Sequence, residues 1–320
     1  MKKKYLYLFG LIIFIVLLLI IYFCCTRLYA KNLNVISEKF TQRQVEIKNN
    51  EPFDYNNYIF PKIIWVYWDN IKNIPLCIQN IWKNNYNIIK TWQVNFLSND
   101  TLGQYIPKRA MPSFKKLVVA QKADWIRLYL LEHYGGCWCD AGIIINDEDA
   151  LTRMRDESIE QKSLYTGFYF KTRMVDNNIF SYVENWFMMA PKFSTIIKLW
   201  RQEFEKAISM GFVNYRKKIS KNKDLNLDEI FNHKYPSDTY LTQHACFYNM
   251  SENFSDELIN SMILYLAEDS MFKLQDRCNW DRKCIHKRLN SDPSVTNIPF
   301  IKLVTDDRKG FDLKNYPPSS

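Results

Sequence analysis

The segment from Ala120 to Asp140 constrains the fold of this chain most strongly, because it joins a helix pattern to a strand pattern through two glycines. Residues 120–134, AQKADWIRLYLLEHY, carry apolar side chains at helical spacing on more than one side. Gly135 and Gly136 follow, as at the glycine-capped end of a helix. Residues 137–140 are then typical of a short buried strand that ends at a carboxylate. This order predicts an α/β fold.

The patterns around this segment extend the same architecture. A β-branched and aromatic run at 62–68, a helix pattern at 75–84 and a second run at 92–97 give the order β-α-β, which predicts a parallel sheet covered by helices. Asp140 would lie where a central strand ends, the usual place for ligands in open α/β sheets. Further strands are predicted at 143–145, 185–190 and 300–304, and further helices at 194–210 and 240–248.

The amino-terminal region predicts a membrane anchor. From Tyr5 to Cys25 the chain has no charged residue, and at about 1.5 Å per helical residue this run spans a hydrocarbon core of about 30 Å. A cleaved signal peptide is the alternative, but residues 28–30 match its small-x-small cleavage pattern poorly. Lysines at 2–4 predict a cytoplasmic amino terminus. The predicted organisation is a type II membrane protein with a tail at 1–4, an anchor at 5–25, a stalk at 26–56 and a lumenal (Golgi or ER type) or extracytoplasmic domain at 57–320.

Charge and cysteine content limit the partners. The net charge is +9, but basic and acidic residues alternate along the chain and no nucleic-acid module is visible, so nucleic acid is not an expected partner. The excess charge is either a solvated surface or helps to hold an anionic substrate. In an oxidising compartment Cys278 and Cys284 are the expected disulfide. A zinc site that combines Cys284 with Cys137, Cys139 and His286 is an alternative. N-glycosylation patterns begin at Asn99, Asn249 and Asn253.

Three charged residues of the central segment suggest a binding site. Asp124 and Arg127 are three apart and share a helix face, and the following strand brings Asp140 to its carboxyl end. A carboxylate can accept hydrogen bonds from both hydroxyls of a ribose, and a cation can bind a diphosphate. The alternative for Asp124 and Arg127 is a surface ion pair worth about 0.2–0.5 kcal/mol.

The same segment resembles glycosyltransferases with a DXD-type sugar-binding region, in particular the capsular polysaccharide synthesis group related to fungal Golgi mannosyltransferases. The shared pattern here is Ala123-Asp124, Arg127, Leu130-Leu131, the Tyr-Gly-Gly at 134–136 and the Asp-Ala-Gly at 140–142. The resemblance extends upstream to the strand at 61–68 and downstream to 184–190, and it covers about residues 58–200.

The resemblance implies a GT-A fold, which is a Rossmann-like domain, and it implies roles for matching residues. Asp124 and Arg127 match positions that hold the ribose and phosphate side of the donor, and Asp140 matches the first acid of the DXD motif, which serves catalysis and binds Mn²⁺ or Mg²⁺. Trp65, Tyr67 and Trp68 match a strand end that borders the base of the donor, although each could equally be a core aromatic. His244 and Lys302 resemble later family positions only loosely.

Gly142 departs from the family pattern, which often has a second acid or a Thr at that position. Asp147, Glu148 and Asp149 could reach back toward a metal, or they could form a solvated acidic turn.

The function implied is transfer of a hexose, with retention at the anomeric carbon, from a UDP- or GDP-linked sugar to a glycan, glycoprotein or glycolipid at a membrane. A catalytically inactive relative that binds sugars or nucleotide sugars is the alternative that Gly142 supports. A membrane-tethered structural protein is a second alternative.

Overall fold

The computed structural model describes residues 53–114, 117–231 and 239–318, all of which belong to one compact unit, Asn50–Ser320. The described strands are β1 (Ile63–Tyr67), β2 (Gln93–Leu97), β3 (Gly136–Cys139), β4 (Ile143–Ile145), β5 (Tyr165–Tyr169), β6 (Phe187–Ala190), β7 (Met262–Leu266) and β8 (Phe300–Lys302). The α-helices are α1 (Leu76–Ile88), α2 (Val119–Tyr134), α3 (Glu148–Glu160), α4 (Thr195–Met210), α5 (Phe212–Ile219), α6 (Asp228–Phe231), α7 (Thr242–Ser251), α8 (Asp256–Asn260), α9 (Lys273–Arg277), α10 (Arg282–Ser291) and α11 (Thr305–Arg308).

The main sheet is mixed and mostly parallel. Its strand order is β2-β1-β3-β6-β5-β7, in which β1 is parallel to β2 and β3, and β5 is parallel to β7. Strand β6 runs antiparallel to both of its neighbours, which corrects the expectation of a wholly parallel sheet. A separate antiparallel pair joins β4 to β8. The predicted α/β class is confirmed.

The sheet is covered by helices on both faces because its central strands are apolar on both sides. In β1, Ile64 and Val66 face a core that includes α1, α3 and α10, whereas Trp65 and Tyr67 face a core that includes α2, α4 and α7. The sheet is therefore packed on both faces, and the residues that follow its strands lie at the ends of the two cores.

Polar residues lie together at one end of the central strands, which we call the polar edge of the sheet. The parallel strands β1 and β3 end there, at Tyr67 and Cys139, and the antiparallel strand β6 begins there. Trp68, Asp140 and the segment before β6 therefore lie side by side, although they are far apart in the sequence. The backbone N–H of Asp140 donates to the carbonyl of Trp186, at 2.8 Å, and this bond fixes the strand end.

Most predicted elements are present with small shifts at their ends, whereas β5 and β7 were not predicted. In β5, Thr166 and Gly167 interrupt the apolar pattern. Residues 262–266 of β7 are apolar, but a short apolar run of this kind does not distinguish a strand from a helix segment. The predicted disulfide between Cys278 and Cys284 is confirmed. The zinc alternative is wrong, because Cys284 is bonded to Cys278 and the His286 ring nitrogen contacts the carbonyl of Asp307.

Within 53–114, 117–231 and 239–318, no helix has the length and apolar character needed to cross a bilayer. The predicted tail and anchor at 1–25 lie outside the described residues, as does most of the predicted stalk.

Candidate functional site

A cavity of about 1030 Å³ opens at the polar edge of the sheet. Its wall is built from chain segments between Tyr67 and Arg308, so it exists only in the folded protein. Asp124, Arg127 and Asp140, the three charged residues singled out from the sequence, all line it. The structure therefore brings the predicted residues together in one cavity.

Asp140 is held by three donors from different elements. Lys302 Nζ, at the end of β8, donates to Asp140 Oδ2 at 2.7 Å. The indole N–H of Trp138 and Arg127 Nη2 donate to Asp140 Oδ1 at 2.9 Å and 3.4 Å. The Asp140 side chain keeps 28% exposure, whereas that of Lys302 keeps only 8%. Asp140 is thus a partly exposed carboxylate whose orientation is fixed by cations on both sides.

Asp124 and Arg127 form a buried pair behind Asp140. Asp124 Oδ1 accepts from Arg127 Nη1 at 3.2 Å and from Asn185 Nδ2 at 3.2 Å. Arg127 also donates to the carbonyl of Asn185 at 2.8 Å and to Gln243 Oε1 at 3.3 Å. The side chains of Asp124 and Arg127 are 8% and 6% exposed, so the alternative of a surface ion pair is wrong.

Because the Asp124–Arg127 pair is buried, truncation of Asp124 would also destabilise the fold. Removing one partner of a buried ion pair leaves an uncompensated charge and costs about 3–5 kcal/mol. Asp124→Asn, which keeps the shape and one acceptor oxygen, is therefore the better probe.

The ionisation of these groups follows from their surroundings. Burial raises the pKa of Asp124 to about 6, against the opposing effects of Arg127 and His244. Burial would also raise the pKa of Asp140, but Lys302, Arg127 and the Trp138 hydrogen bond together hold it below its ordinary value. Burial lowers the pKa of Lys302, although Asp140 opposes this shift. Asp140 is consequently the carboxylate that stays ionised at acid pH.

A second polar group faces the same cavity. His244 Nε2 lies 3.2 Å from Glu184 Oε2, and both side chains are at least nine-tenths buried. Six buried side-chain atoms of the described residues have no hydrogen-bond partner, and three of them, His244 Nδ1, Trp186 Nε1 and Arg127 Nε, belong to residues that line the cavity. Since buried polar groups are normally paired, the wall of the cavity has spare capacity for hydrogen bonds.

The three predicted aromatic residues divide between the cavity and the core. Tyr67 and Trp68 line the cavity, and the Tyr67 hydroxyl is 2.7 Å from Asn99 Oδ1. Trp65 is 1% exposed, donates its indole N–H to the carbonyl of Gly135 at 2.8 Å and packs in the core. The prediction that Trp65 borders the donor base is therefore corrected, because Trp65 lies two residues before the end of β1 and its side chain is enclosed in the core, whereas Tyr67 and Trp68 lie at the strand end beside the cavity.

The residues around Asp140 do not fit a divalent metal ion. Both carboxylate oxygens already accept from cationic donors. No group of three or more His, Cys, Asp or Glu side chains that could hold a metal occurs in the described part of the chain. Asp147 is not available, because its Oδ1 caps the start of α3 by accepting from Ala150 N at 3.0 Å. Glu148 accepts from the backbone N–H groups of Lys90 and Thr91.

Several lining residues were not assigned a role from the sequence. Glu184, Trp138 and Arg308 all contact or face the charged group, yet each lies in a stretch whose local pattern indicates only a strand or a surface turn. Lys302 matched the family only loosely, although it makes the shortest contact with Asp140. Their roles depend on contacts across the fold, and no local sequence signal specifies such contacts.

A family model described as "Capsular polysaccharide synthesis protein" matches residues 25–291. Among solved structures, the chain is similar to the "crystal structure of a glycosyltransferase involved in the glycosylation of the major capsid of PBCV-1", with a TM-score of 0.38 and 10% identity over 77% of this chain and 96% of that chain. At this TM-score the likeness carries no argument about the site. No curated protein matches the sequence.

Proposed function

Because the chain belongs to the capsular polysaccharide synthesis protein family, we propose that it is a glycosyltransferase that uses a nucleotide sugar. The donor is a UDP- or GDP-linked hexose, and the acceptor is a hydroxyl group of a glycan, glycoprotein or glycolipid. The sequence resemblance favours a GT-A fold and retention of configuration at the anomeric carbon.

The observation that carries the proposal is the connected chain of charges Asp124–Arg127–Asp140–Lys302 at the cavity wall. A nucleotide sugar offers a ribose diol and a diphosphate, which need a carboxylate acceptor and cationic donors close together. The cavity supplies both within one connected network. A protein that only needed a stable core would gain little from it, because buried ion pairs are weak contributors to stability.

The proposed reaction depends on position and charge. The bond between the anomeric carbon and the diphosphate oxygen breaks, and its electron pair stays on the diphosphate. The acceptor oxygen bonds to the anomeric carbon, and its proton passes to water or to the released diphosphate. Asp124 holds the ribose, Asp140 orients the sugar and keeps Lys302 in place, and the cations stabilise the charge that grows on the leaving group.

Asp140→Asn tests this assignment. The amide keeps the shape of the side chain but loses the negative charge that Lys302 and Arg127 contact, so we expect nucleotide release from UDP- or GDP-sugars to fall by about a hundredfold or more. Asp156→Asn is the matched control, because Asp156 is exposed on α3, pairs with Arg155 and does not line the cavity. It should keep wild-type turnover.

Thermal unfolding of both variants separates a loss of chemistry from a loss of fold. Wild-type turnover of folded Asp140→Asn at saturating donor would reject the site. Donor binding by the wild-type protein with no turnover on any acceptor would favour the sugar-binding module over the transferase.

A further inference from the structure

The space beside Gly142 is filled by a cation. A Cβ atom at position 142 would overlap Nη1 of Arg308 and would lie 2.8 Å from the carbonyl oxygen of Leu303. This is the position at which relatives often carry the second acid. The guanidinium of Arg308 therefore lies where the first atom of an acidic side chain would be.

The charge of Arg308 is directed toward neutral partners. Its Nη1 donates to the carbonyl of Leu303 at 3.2 Å, and its Nη2 donates to the hydroxyl of Thr305 at 3.3 Å. The residue is half-buried and lines the cavity. These oxygen atoms position the guanidinium, and the neighbouring carboxylate of Asp307 interacts with it without forming a direct ion pair, so the guanidinium can still bind an anion.

Arg308 belongs to a group of cations around Asp140, since it lies close enough to Lys302 to lower the pKa of that lysine. Lys302 bonds Asp140 Oδ2 and Arg127 bonds Asp140 Oδ1, as described above. A divalent metal ion at Asp140 would be placed among these positive charges, and the described residues offer no group of three or more side chains that could hold it. A diphosphate in the same place would meet several cationic donors, and a guanidinium can bind two of its oxygens at once.

We propose that Lys302 and Arg308 bind the diphosphate of the donor directly and that donor binding in this chain needs no divalent metal. This inference rests on the proposed function and replaces the metal expected from the family pattern. Lys302 and Arg308 then donate hydrogen bonds to the diphosphate as the glycosidic bond breaks, and no co-reactant other than donor and acceptor takes part.

The geometry also predicts that Gly142→Asp, which restores the second acid of the family pattern, would not create a metal site. The obstacle is not a positive φ, since Gly142 is absent from the positive-φ glycines of the described chain. It is the lack of space, because the new side chain would have to displace Arg308 and would press on a backbone carbonyl.

Calorimetric titration of the full chain in detergent with UDP and GDP, at fixed pH, tests the inference without relying on turnover. In excess EDTA we expect at least one of the two to bind, with a Kd that Mn²⁺ changes by less than about threefold. Arg308→Gln keeps hydrogen-bond donors but removes the charge, so it should weaken binding in EDTA by about tenfold or more, the scale of a charge-assisted hydrogen bond. Arg308→Lys, which keeps the charge but loses the planar fork, should fall between the two.

Lys309→Gln is the matched control, because Lys309 is the next residue, pairs with Asp306 and does not line the cavity. It should bind as the wild type does. Binding that disappears in EDTA and returns with Mn²⁺ would overturn the inference and leave the transferase proposal standing. An unchanged Kd in folded Arg308→Gln and Arg308→Lys would overturn the role of Arg308. If neither nucleotide binds with or without Mn²⁺, the inference fails and the proposed donor site fails with it.

Discussion

At the scale of single residues, two aspartates on one cavity have different ionisation because their neighbours differ. Asp140 is contacted by Lys302 and Arg127, which keep its pKa low. Asp124 is more deeply buried, and this burial raises its pKa to about 6 although its one close cationic partner, Arg127, opposes the shift. A carboxylate that must be charged to bind its ligand then becomes the group that limits binding at acid pH.

The pH dependence of donor binding tests this difference. The folded pKa of Asp124 lies above its ordinary value of 3.8, so the folded protein takes up a proton as pH falls through about 6. Only the ionised form accepts both ribose hydroxyls, so the affinity for a UDP- or GDP-sugar should fall about tenfold from pH 7 to pH 5. Asp140 stays ionised throughout this range and should not add to the effect.

Asp124→Asn is the control for that profile. The amide does not titrate, so its affinity should be lower than that of the wild type at pH 7 and flat between pH 5 and 7. A wild-type profile without an acid limb, or the same limb in Asp124→Asn, would remove Asp124 from donor binding. The nucleotide sugar is the proper probe, because its diphosphate carries no proton that titrates in this range.

At the scale of elements, the turn from α2 to β3 sets the position of Asp140. Gly135 has φ +67° and Gly136 has φ +94°, which are backbone conformations that side chains disfavour. A Cβ on Gly136 would lie 2.5 Å from the carbonyl oxygen of Ile63 in β1. The two glycines therefore let the chain turn sharply and let β3 approach β1 closely.

Gly136→Ala should destabilise the fold by at least about 1–3 kcal/mol, since it adds left-handed strain and a backbone clash at the centre of the sheet. Chemical denaturation measures this change directly. Gly103→Ala is the matched control, because Gly103 is exposed, has no positive φ and has nothing within 4 Å of a new Cβ. It should lie within about 0.5 kcal/mol of the wild type. Equal stabilities of the two variants would contradict this account of the turn.

At the scale of the whole molecule, the disulfide agrees with a domain that faces an oxidising compartment. Cys278 and Cys284 are bonded, and such bonds persist mainly in secreted, lumenal or extracytoplasmic proteins. We therefore propose the topology expected from the amino-terminal sequence, with a cytoplasmic tail, an anchor at 5–25 and the folded domain on the other side of the membrane.

N-glycosylation in a eukaryotic host tests this topology, and the structure shows which acceptor asparagines are exposed. Asn99 and Asn253 are exposed, whereas the side-chain amide of Asn249 is half-buried and donates to Glu203 at 3.0 Å. We expect glycosidase-sensitive modification that Asn99→Gln together with Asn253→Gln removes and Asn249→Gln does not, with the domain protected from protease in intact vesicles. Digestion of the domain in sealed vesicles without detergent would reverse the proposed orientation.

The local pattern was sufficient for elements whose stability depends on neighbours in the sequence. The helix at 119–134, its glycine end and the strand that leads to Asp140 were predicted almost to the residue, because helix spacing and glycine caps are local properties. The sequence allowed two interpretations of the acidic residues 147–149, as metal ligands or as a solvated turn, and the structure shows that Asp147 instead caps a helix. Whether Asp147 caps a helix depends on the conformation of the residues that follow it, which the three acidic residues do not specify.

The sequence by itself determined the α/β class, the pairing of Asp124 with Arg127 on one helix, the place of Asp140 at a strand end and the disulfide. Each follows from residues that are close along the chain. Only the tertiary structure decided that Lys302 bonds Asp140, that Arg308 fills the space beside Gly142 and that Trp65 belongs to the core. Lys302 is 162 residues from Asp140, and a contact over such a separation depends on how the sheet and its helices pack. Local propensity does not encode that packing.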